Sequence, residues 1–190
     1  MMKIKNKINL LALSLAAISL GLTGCGQNES EVAADPASSD PAAAAAGANI
    51  LLTEAPASAI PVGQARLKAQ PGDEVAIIGQ VGGVRKPIAE DYASFVIADE
   101  AVYFCDEMAD EGCATPWDAC CEDPEKLAAN RASVVFLDAQ GQAMPVNLKK
   151  AVDLTELNLV TVKGVVAPES TPENLIIHAS GLYTPQLKLQ

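Results

Sequence analysis

Hydrophobic and polar positions alternate in short stretches through the second half of the chain, a pattern typical of half-buried β-strands. Positions 75–81 read Val-x-Ile-x-Gly-x-Val, and positions 160–166 read Val-x-Val-x-Gly-x-Val. A glycine on the apolar face of a strand permits sharp coiling or close backbone approach, so we expect both strands to bend around one small core. With three further segments bounded by turn residues, the pattern predicts strands over 74–81, 94–99, 132–138, 158–166 and 175–183.

Helical signals are short. Residues 65–69 allow one helix, which Pro71-Gly72 closes. Residues 126–130 predict another, with Asp123 as the N-cap and Pro124 in the first turn. Together with the strands, these segments predict one small barrel or sandwich, because a core of about 120 residues suffices for one domain.

The N-terminal region carries a targeting pattern. Residues 1–7 contain three lysines and no acid, and residues 8–22 are uncharged and apolar or small. That apolar run has the length of a signal peptide and is short for a membrane span. The stretch ends in Leu22-Thr23-Gly24-Cys25, which resembles the lipobox of bacterial lipoproteins. The resemblance implies a signal peptide over 1–24 and a lipid anchor on the thiol of Cys25.

The segments after Cys25 define the expected domain organisation. Residues 25–49 comprise the lipidated cysteine and a low-complexity stretch of Ala, Ser, Pro and acids, which predicts a flexible linker. Residues 50–190 form the predicted domain, and 103–131 are an insert within it. Gly26 replaces the Asp that, in the lipoproteins this chain resembles, favours inner-membrane retention, so we expect the outer membrane, facing the periplasm.

The overall charge limits the choice of partners. Without residues 1–24, which hold Lys3, Lys5 and Lys7, the chain has 10 basic and 24 acidic residues, a net charge of −14. Nucleic-acid binding needs a basic footprint that displaces counterions, so we expect no nucleic-acid partner. The expected partners are the membrane, through the lipid anchor, and a protein, peptide or glycan of the cell envelope.

Four cysteines, Cys105, Cys113, Cys120 and Cys121, cluster in the insert. An even number of cysteines in a secreted loop predicts two disulfides, with Cys120 and Cys121 each reaching back to Cys105 or Cys113. A zinc or copper(I) site is an alternative, with Met108 nearby, although the insert has no Cys-x₂-Cys pair and no histidine. A redox-active thiol pair is a second alternative. The sequence favours disulfides and predicts no bound metal or other cofactor.

The strand order resembles a known fold. Glycines late in the first and fourth strands, and the second strand Phe95-Val96-Ile97-Ala98-Asp99, resemble the OB-fold. Residues 73–185 resemble a family of bacterial secreted proteins with a Thr-Pro-Trp-Asp-x-Cys-Cys insert, here residues 115–121. The fold class implied is all-β, a small five-stranded OB-like Greek-key barrel with short helices and a Cys-rich insert. The resemblance implies no specific activity.

The OB resemblance also implies where a ligand binds. In OB domains it usually meets the second and third strands and the loops after the first and fourth strands. Those loops are residues 82–91, which contain Arg85-Lys86, and 168–173, which are acidic at both ends. Trp117 is a candidate stacking residue, although a hydrophobic plug of the insert is the favoured interpretation. We therefore take Arg85, Lys86 and Trp117 as candidate ligand residues.

No catalytic constellation appears in the sequence. His178 is the single histidine, and its place within a strand favours a half-buried structural role. Hydrolase triads, zinc-protease helices and phosphate loops all have recognisable patterns that this chain does not contain. We therefore expect a non-enzymatic, membrane-anchored envelope module that binds a ligand or has a structural role. A periplasmic thiol-redox or metal-handling protein that uses the four cysteines is the alternative.

Overall fold

The computed structural model describes residues 41–105 and 113–186. The predicted signal peptide, Cys25, most of the predicted linker and Met108 therefore lie outside the described residues. In chain order the elements are α1 (Pro41–Ile50), β1 (Ile60–Pro61), α2 (Val62–Lys68), β2 (Glu74–Val81), β3 (Ser94–Ala98), α3 (Pro124–Ala129), β4 (Arg131–Phe136), α4 (Leu148–Val152), β5 (Leu159–Val166) and β6 (Leu175–Tyr183). No helix in the described part of the chain is both long and apolar enough to span a membrane.

Five strands close into a barrel, which confirms the predicted fold class. The strand order is β1-β2-β3-β4-β6-β5, and β5 pairs back onto β2. Seven residue pairs, from Glu74–Val165 to Gln80–Leu159, form this closing antiparallel ladder. The contact between β4 and β6 is parallel, whereas the other pairings around the barrel are antiparallel. This is the five-stranded OB-like arrangement, with β1 as an additional short strand parallel to β2.

The predicted strand faces are confirmed by burial. Ile77, Gly79 and Val81 of β2 are buried, and so are the alternate residues of β5. Phe95 and Phe136, from β3 and β4, are the largest fully buried side chains of the barrel interior. Leu148 of α4 is also fully buried. The helix between β4 and β5 therefore contributes directly to the barrel core.

Close backbone contacts explain the two strand glycines. A Cβ built on Gly79 would lie 2.7 Å from the carbonyl oxygen of Ala98. One built on Gly164 would lie 2.5 Å from the carbonyl oxygen of His178. The register of β5 against β6 shifts at Lys163/Gly164, so Gly164 sits at a β-bulge. The expectation of close backbone approach at these glycines is therefore confirmed.

We expect Gly164→Ala to lower the free energy of unfolding by about 2–3 kcal/mol, because the new methyl group must displace packed backbone atoms of β6. Urea unfolding followed by circular dichroism measures this change. Lys163→Ala is the matched control, since Lys163 is exposed on the same strand and its loss should change stability by no more than about 0.5 kcal/mol. Equal stability of Gly164→Ala and the parent protein would contradict the tight contact.

The last part of the predicted linker is a helix, which corrects the linker boundary at residue 49. Residues 41–50 form α1, and Gly47 packs so closely on α4 that a Cβ would lie 2.8 Å from the Ala151 carbonyl oxygen. Alanine has the highest helix propensity, and Pro41 occupies the first helical position, where proline is favoured. Tertiary contact with α4 therefore orders a segment whose composition alone indicated a linker.

Candidate functional site: a cleft between the 82–91 loop, the insert and α4

The loop after β2 is held against the insert by backbone contacts. The N–H of Gly83 donates to the Trp117 carbonyl oxygen at 2.9 Å. Gly83 has a φ of +78°, a left-handed conformation that favours glycine. At Gly82 a Cβ would lie 2.6 Å from the same Trp117 oxygen and 2.7 Å from Phe104. The two glycines thus allow the insert to lie directly on the loop that contains Arg85 and Lys86.

Trp117 is fixed at the boundary between the loop and the insert. Its indole Nε1 donates a 3.0 Å hydrogen bond to the carbonyl oxygen of Arg85. The residue is partly buried and lines the cleft described below. The sequence favoured Trp117 as the hydrophobic plug of the insert, but this residue is only partly buried. The buried hydrophobic cluster at the insert contains Phe104, which packs with Ala98, Val102 and Ala119.

Helix α4 lies across from the 82–91 loop and the insert, and forms the other side of the cleft. Asn147 caps it by accepting from the Lys150 N–H at 3.1 Å, and its side-chain amide donates to the Glu90 carbonyl oxygen at 2.7 Å. This residue therefore links α4 to the 82–91 loop. Lys149 forms an ion pair with Glu156, and Lys150 is exposed beside it.

These elements enclose a cleft of about 630 Å³. Its charged lining residues are Arg85, Lys86, Glu90, Asp91, Lys149, Lys150 and Glu156. Four of the nine Lys and Arg residues in the described part of the chain thus surround one cleft of a strongly acidic protein. Apart from the Lys149–Glu156 pair, no salt bridge among the described residues engages the cations of this cleft. Its volume lies within the range of about 300–1,000 Å³ typical of ligand sites.

The structure brings Arg85, Lys86 and Trp117 together, as lining residues of the same cleft. The other loop predicted to meet a ligand, residues 168–173, does not line this cleft. Ser170, Thr171 and Pro172 of that loop line a separate cavity of about 210 Å³. Arg66 of α2 reaches this cavity and donates to the Pro172 carbonyl oxygen. Burial, followed by repulsion from Arg131, lowers the pKa of Arg66.

His178 has a partner that the sequence did not indicate. Its Nε2 lies 2.8 Å from Oε1 of Glu169, which belongs to the loop between β5 and β6. The backbone N–H of Glu169 itself, and then His178, lower the pKa of the Glu169 carboxyl. The imidazole is partly buried on the outside of β6, consistent with the structural role expected for it.

The cysteines of the insert lie close together as thiols. Sγ of Cys105 is 3.6 Å from Sγ of Cys120, which is 3.8 Å from Sγ of Cys121. Sγ of Cys113 lies 3.7 Å from the carbonyl oxygen of Thr115, and its thiol also interacts with that of Cys105. A disulfide requires about 2.05 Å between sulfurs, so no pair is at bonding distance. The two predicted disulfides stay a prediction.

The environments of these thiols differ. Burial, followed by hydrogen bonds with Cys120 and Cys113, raises the pKa of Cys105 to about 12. Hydrogen bonding with the backbone and then the side chain of Thr115 lowers the pKa of Cys113. Cys120 and Cys121 are exposed. The cluster therefore has one buried side and one side open to solvent.

Sequence reasoning missed the contribution of α4 to the cleft. Asn147, followed by Leu148-Lys149-Lys150, is a helix N-cap signal that was available in the sequence. No local signal, however, indicates that Asn147 bonds Glu90, which lies 57 residues earlier in the chain. The position of Lys149 and Lys150 opposite Arg85 depends on this long-range contact.

Comparisons with known proteins show little similarity. No family model matches the chain. No curated protein matches it either. Among solved structures, the chain is similar to a protein described as an aspartyl-tRNA synthetase from Leishmania major Friedlin, with a TM-score of 0.35 and 13% identity. The match covers 74% of this chain and 23% of the other, so the chain spans less than a quarter of the length of that protein.

Proposed function

We propose that the chain is a lipid-anchored envelope lipoprotein whose OB-like domain binds a carboxylate-bearing peptide or glycan in the cleft. The proposed anchor is Cys25, at the end of the lipobox-like sequence Leu22-Thr23-Gly24-Cys25. The proposed location is the outer membrane, facing the periplasm. The domain acts by binding and not by catalysis.

One observation carries the binding proposal: three separate chain segments converge on one cleft and contribute cations and an aromatic ring. Arg85 and Lys86 come from the loop after β2, Trp117 from the insert, and Lys149 and Lys150 from α4. Hydrogen bonds between the segments, through Trp117 and Asn147, hold them in place before any ligand arrives. Preorganisation of this kind lowers the entropic cost of binding.

The lining residues indicate the chemistry of the ligand. Arginine presents a planar donor set that matches a carboxylate, and lysine contributes a compact positive charge. An indole provides a flat apolar surface for a sugar ring or an apolar side chain. The acids Glu90, Asp91 and Glu156 also line the cleft, and this mixed lining fits a peptide or glycan better than a nucleic acid. A ligand with separated carboxylates is the best fit.

The binding experiment uses the single tryptophan of the chain as its reporter. The detergent-solubilised lipoprotein is titrated with a glutamate hexapeptide and an oligogalacturonate, and with a glutamine hexapeptide and maltohexaose as neutral counterparts. We expect the two acidic probes to change the fluorescence of Trp117 and the neutral ones to have little effect. Arg85→Glu with Lys86→Glu should weaken binding about tenfold, since exposed charge contacts contribute about 0.5–1 kcal/mol each.

Lys68→Glu with Lys163→Glu is the matched control, because it makes the same charge change at exposed positions outside the cleft. Binding by this control should stay within about twofold of the parent protein, a difference of less than about 0.5 kcal/mol. If both double variants lose affinity equally, only net charge governs binding and the cleft proposal is wrong. Failure of all the acidic probes to bind at millimolar concentration would also contradict it.

A further inference from the structure

We propose that Cys105, Cys113, Cys120 and Cys121 form a thiolate site for a d¹⁰ metal ion, with Zn²⁺ as the ion that the geometry fits. This site is independent of the ligand cleft. It uses the same four sulfurs that the sequence assigns to two disulfides, so the two arrangements exclude one another.

The first argument is the spacing of the sulfur atoms. Sγ of Cys105, Cys120 and Cys121 all lie within 4.8 Å of one another, with two separations of 3.6 and 3.8 Å. A Zn–S bond of about 2.3 Å in a tetrahedral site gives sulfur–sulfur edges of about 3.8 Å. The observed contacts therefore match the edges of a tetrathiolate, whereas a disulfide would bring two of the sulfurs about 1.5 Å closer.

Cys113 is the proposed fourth ligand. Its Sγ lies 3.7 Å from both the carbonyl oxygen and Oγ1 of Thr115, whereas the sulfurs within 4.8 Å of one another are those of Cys105, Cys120 and Cys121. Metal binding therefore requires Sγ of Cys113 to move toward the other three sulfurs.

The backbone around the cluster is fixed independently of the sulfurs. The Cys105 N–H donates to the Asp118 carbonyl oxygen at 2.8 Å, and the Asp118 N–H donates to the Thr115 carbonyl oxygen at 2.9 Å. Glu122 accepts from the Tyr103 N–H at 2.9 Å and from Lys126 at 2.7 Å. These bonds connect the two arms of the insert and hold the adjacent residues Cys120 and Cys121 beside Cys105.

Charge and donor type determine which ion fits. Residues 103–123 contain no Lys, Arg or His, so no side chain of this stretch balances the charge of several thiolates. A dication offsets two of the four thiolate charges, and a site made only of sulfur selects zinc or another thiophilic d¹⁰ ion over calcium or magnesium. Binding of one Zn²⁺ replaces four thiol protons, which pass to the solvent. The exposed positions of Cys120 and Cys121 give the ion a path to the site.

The decisive experiment uses the full-length lipoprotein, isolated from the envelope without reductant. Native mass spectrometry should show one bound metal ion, and alkylation after chelation should label four thiols in the insert. Anaerobic titration of the metal-free protein with Cd²⁺ should give a sulfur-to-metal charge-transfer band that saturates at one equivalent. Proton release measured in weak buffer should approach four protons per Zn²⁺.

Cys105→Ser should weaken Zn²⁺ binding at least 100-fold, because it removes the buried ligand. Cys113→Ser should weaken it at least tenfold and remove about one proton from the release. Ala114→Ser adds a hydroxyl beside Cys113 without removing a thiol, and should bind as the parent does. A protein isolated with no alkylatable thiol and a mass four hydrogens below its reduced form has two disulfides, which overturns the proposal. Four free thiols that bind neither Zn²⁺ nor Cd²⁺ overturn it as well.

Discussion

Replacement of Cys25 with serine is expected to abolish stable membrane attachment, the largest single effect that we predict. Each CH₂ buried in the bilayer contributes about 0.8 kcal/mol, and two or three acyl chains together hold a protein almost permanently. The serine hydroxyl does not replace the thiol as the acceptor of the lipid. We therefore expect either a soluble form or an unprocessed precursor that retains residues 1–24. Fractionation combined with intact mass measurement distinguishes the two products.

Cys121→Ser is the matched control, because it removes an exposed cysteine from the insert and leaves the lipobox-like sequence unchanged. This variant should remain with the membrane fraction and carry the full lipid mass. If Cys25→Ser instead matures and fractionates as the parent protein does, the lipoprotein proposal is wrong. The binding and metal proposals concern residues of the domain, so this result does not decide them.

Phe95→Ala is expected to produce the largest loss of folding stability, about 3–5 kcal/mol. The Phe95 side chain is 1% exposed and lies in the barrel core, opposite Val134 on the neighbouring strand β4. Alanine would leave a cavity that rigid strands on both sides cannot fill by relaxation. Because small domains are stable by only about 5–15 kcal/mol, the variant should approach unfolding at physiological temperature.

Urea unfolding followed by circular dichroism measures the change, with Tyr92→Ala as the control. Tyr92 is 52% exposed and lies three residues earlier, so its truncation should change stability by no more than about 0.5 kcal/mol. Phe95 also forms a β-bridge with Ile88, which lines the ligand cleft. Any folded Phe95→Ala protein should therefore bind the acidic probes more weakly. A loss below about 1 kcal/mol would contradict the place of Phe95 in the core.

The strands were predictable because their signal is local. Alternation of apolar residues places all five barrel strands within two residues of their observed ends, and Asp123 with Pro124 gives the start of α3. The helices α1 and α4 were missed for different reasons. The composition of α1 resembles that of a linker, and the sequence does not indicate that this helix packs against α4. In α4 the five helical residues are too few to produce a clear apolar period.

For the candidate site, too, some features could be predicted from the sequence and others depend on long-range contacts. Arg85 and Lys86 were proposed because a fold resemblance indicates which loops meet ligands, and Trp117 was proposed because an indole can stack on a ligand. The resemblance did not indicate that the loop after β5 lies at another cavity, or that Lys149 and Lys150 complete the cleft. For the cysteines, the sequence shows their number and predicts an oxidising compartment. The distances between sulfurs depend on turns around Asp118 and Glu122 that the sequence does not specify.

Closure of β5 onto β2 would have a consequence for a domain that is anchored to a membrane, as we propose. A lipid anchor would confine many copies of this domain to one plane, where neighbouring molecules collide at high local concentration. Each of the five barrel strands has a strand neighbour on both sides, and the shortest of these pairings, between β2 and β3, spans two residue pairs. Such a barrel offers a colliding copy no long sheet edge to extend, which protects a crowded layer of domains from edge-to-edge aggregation.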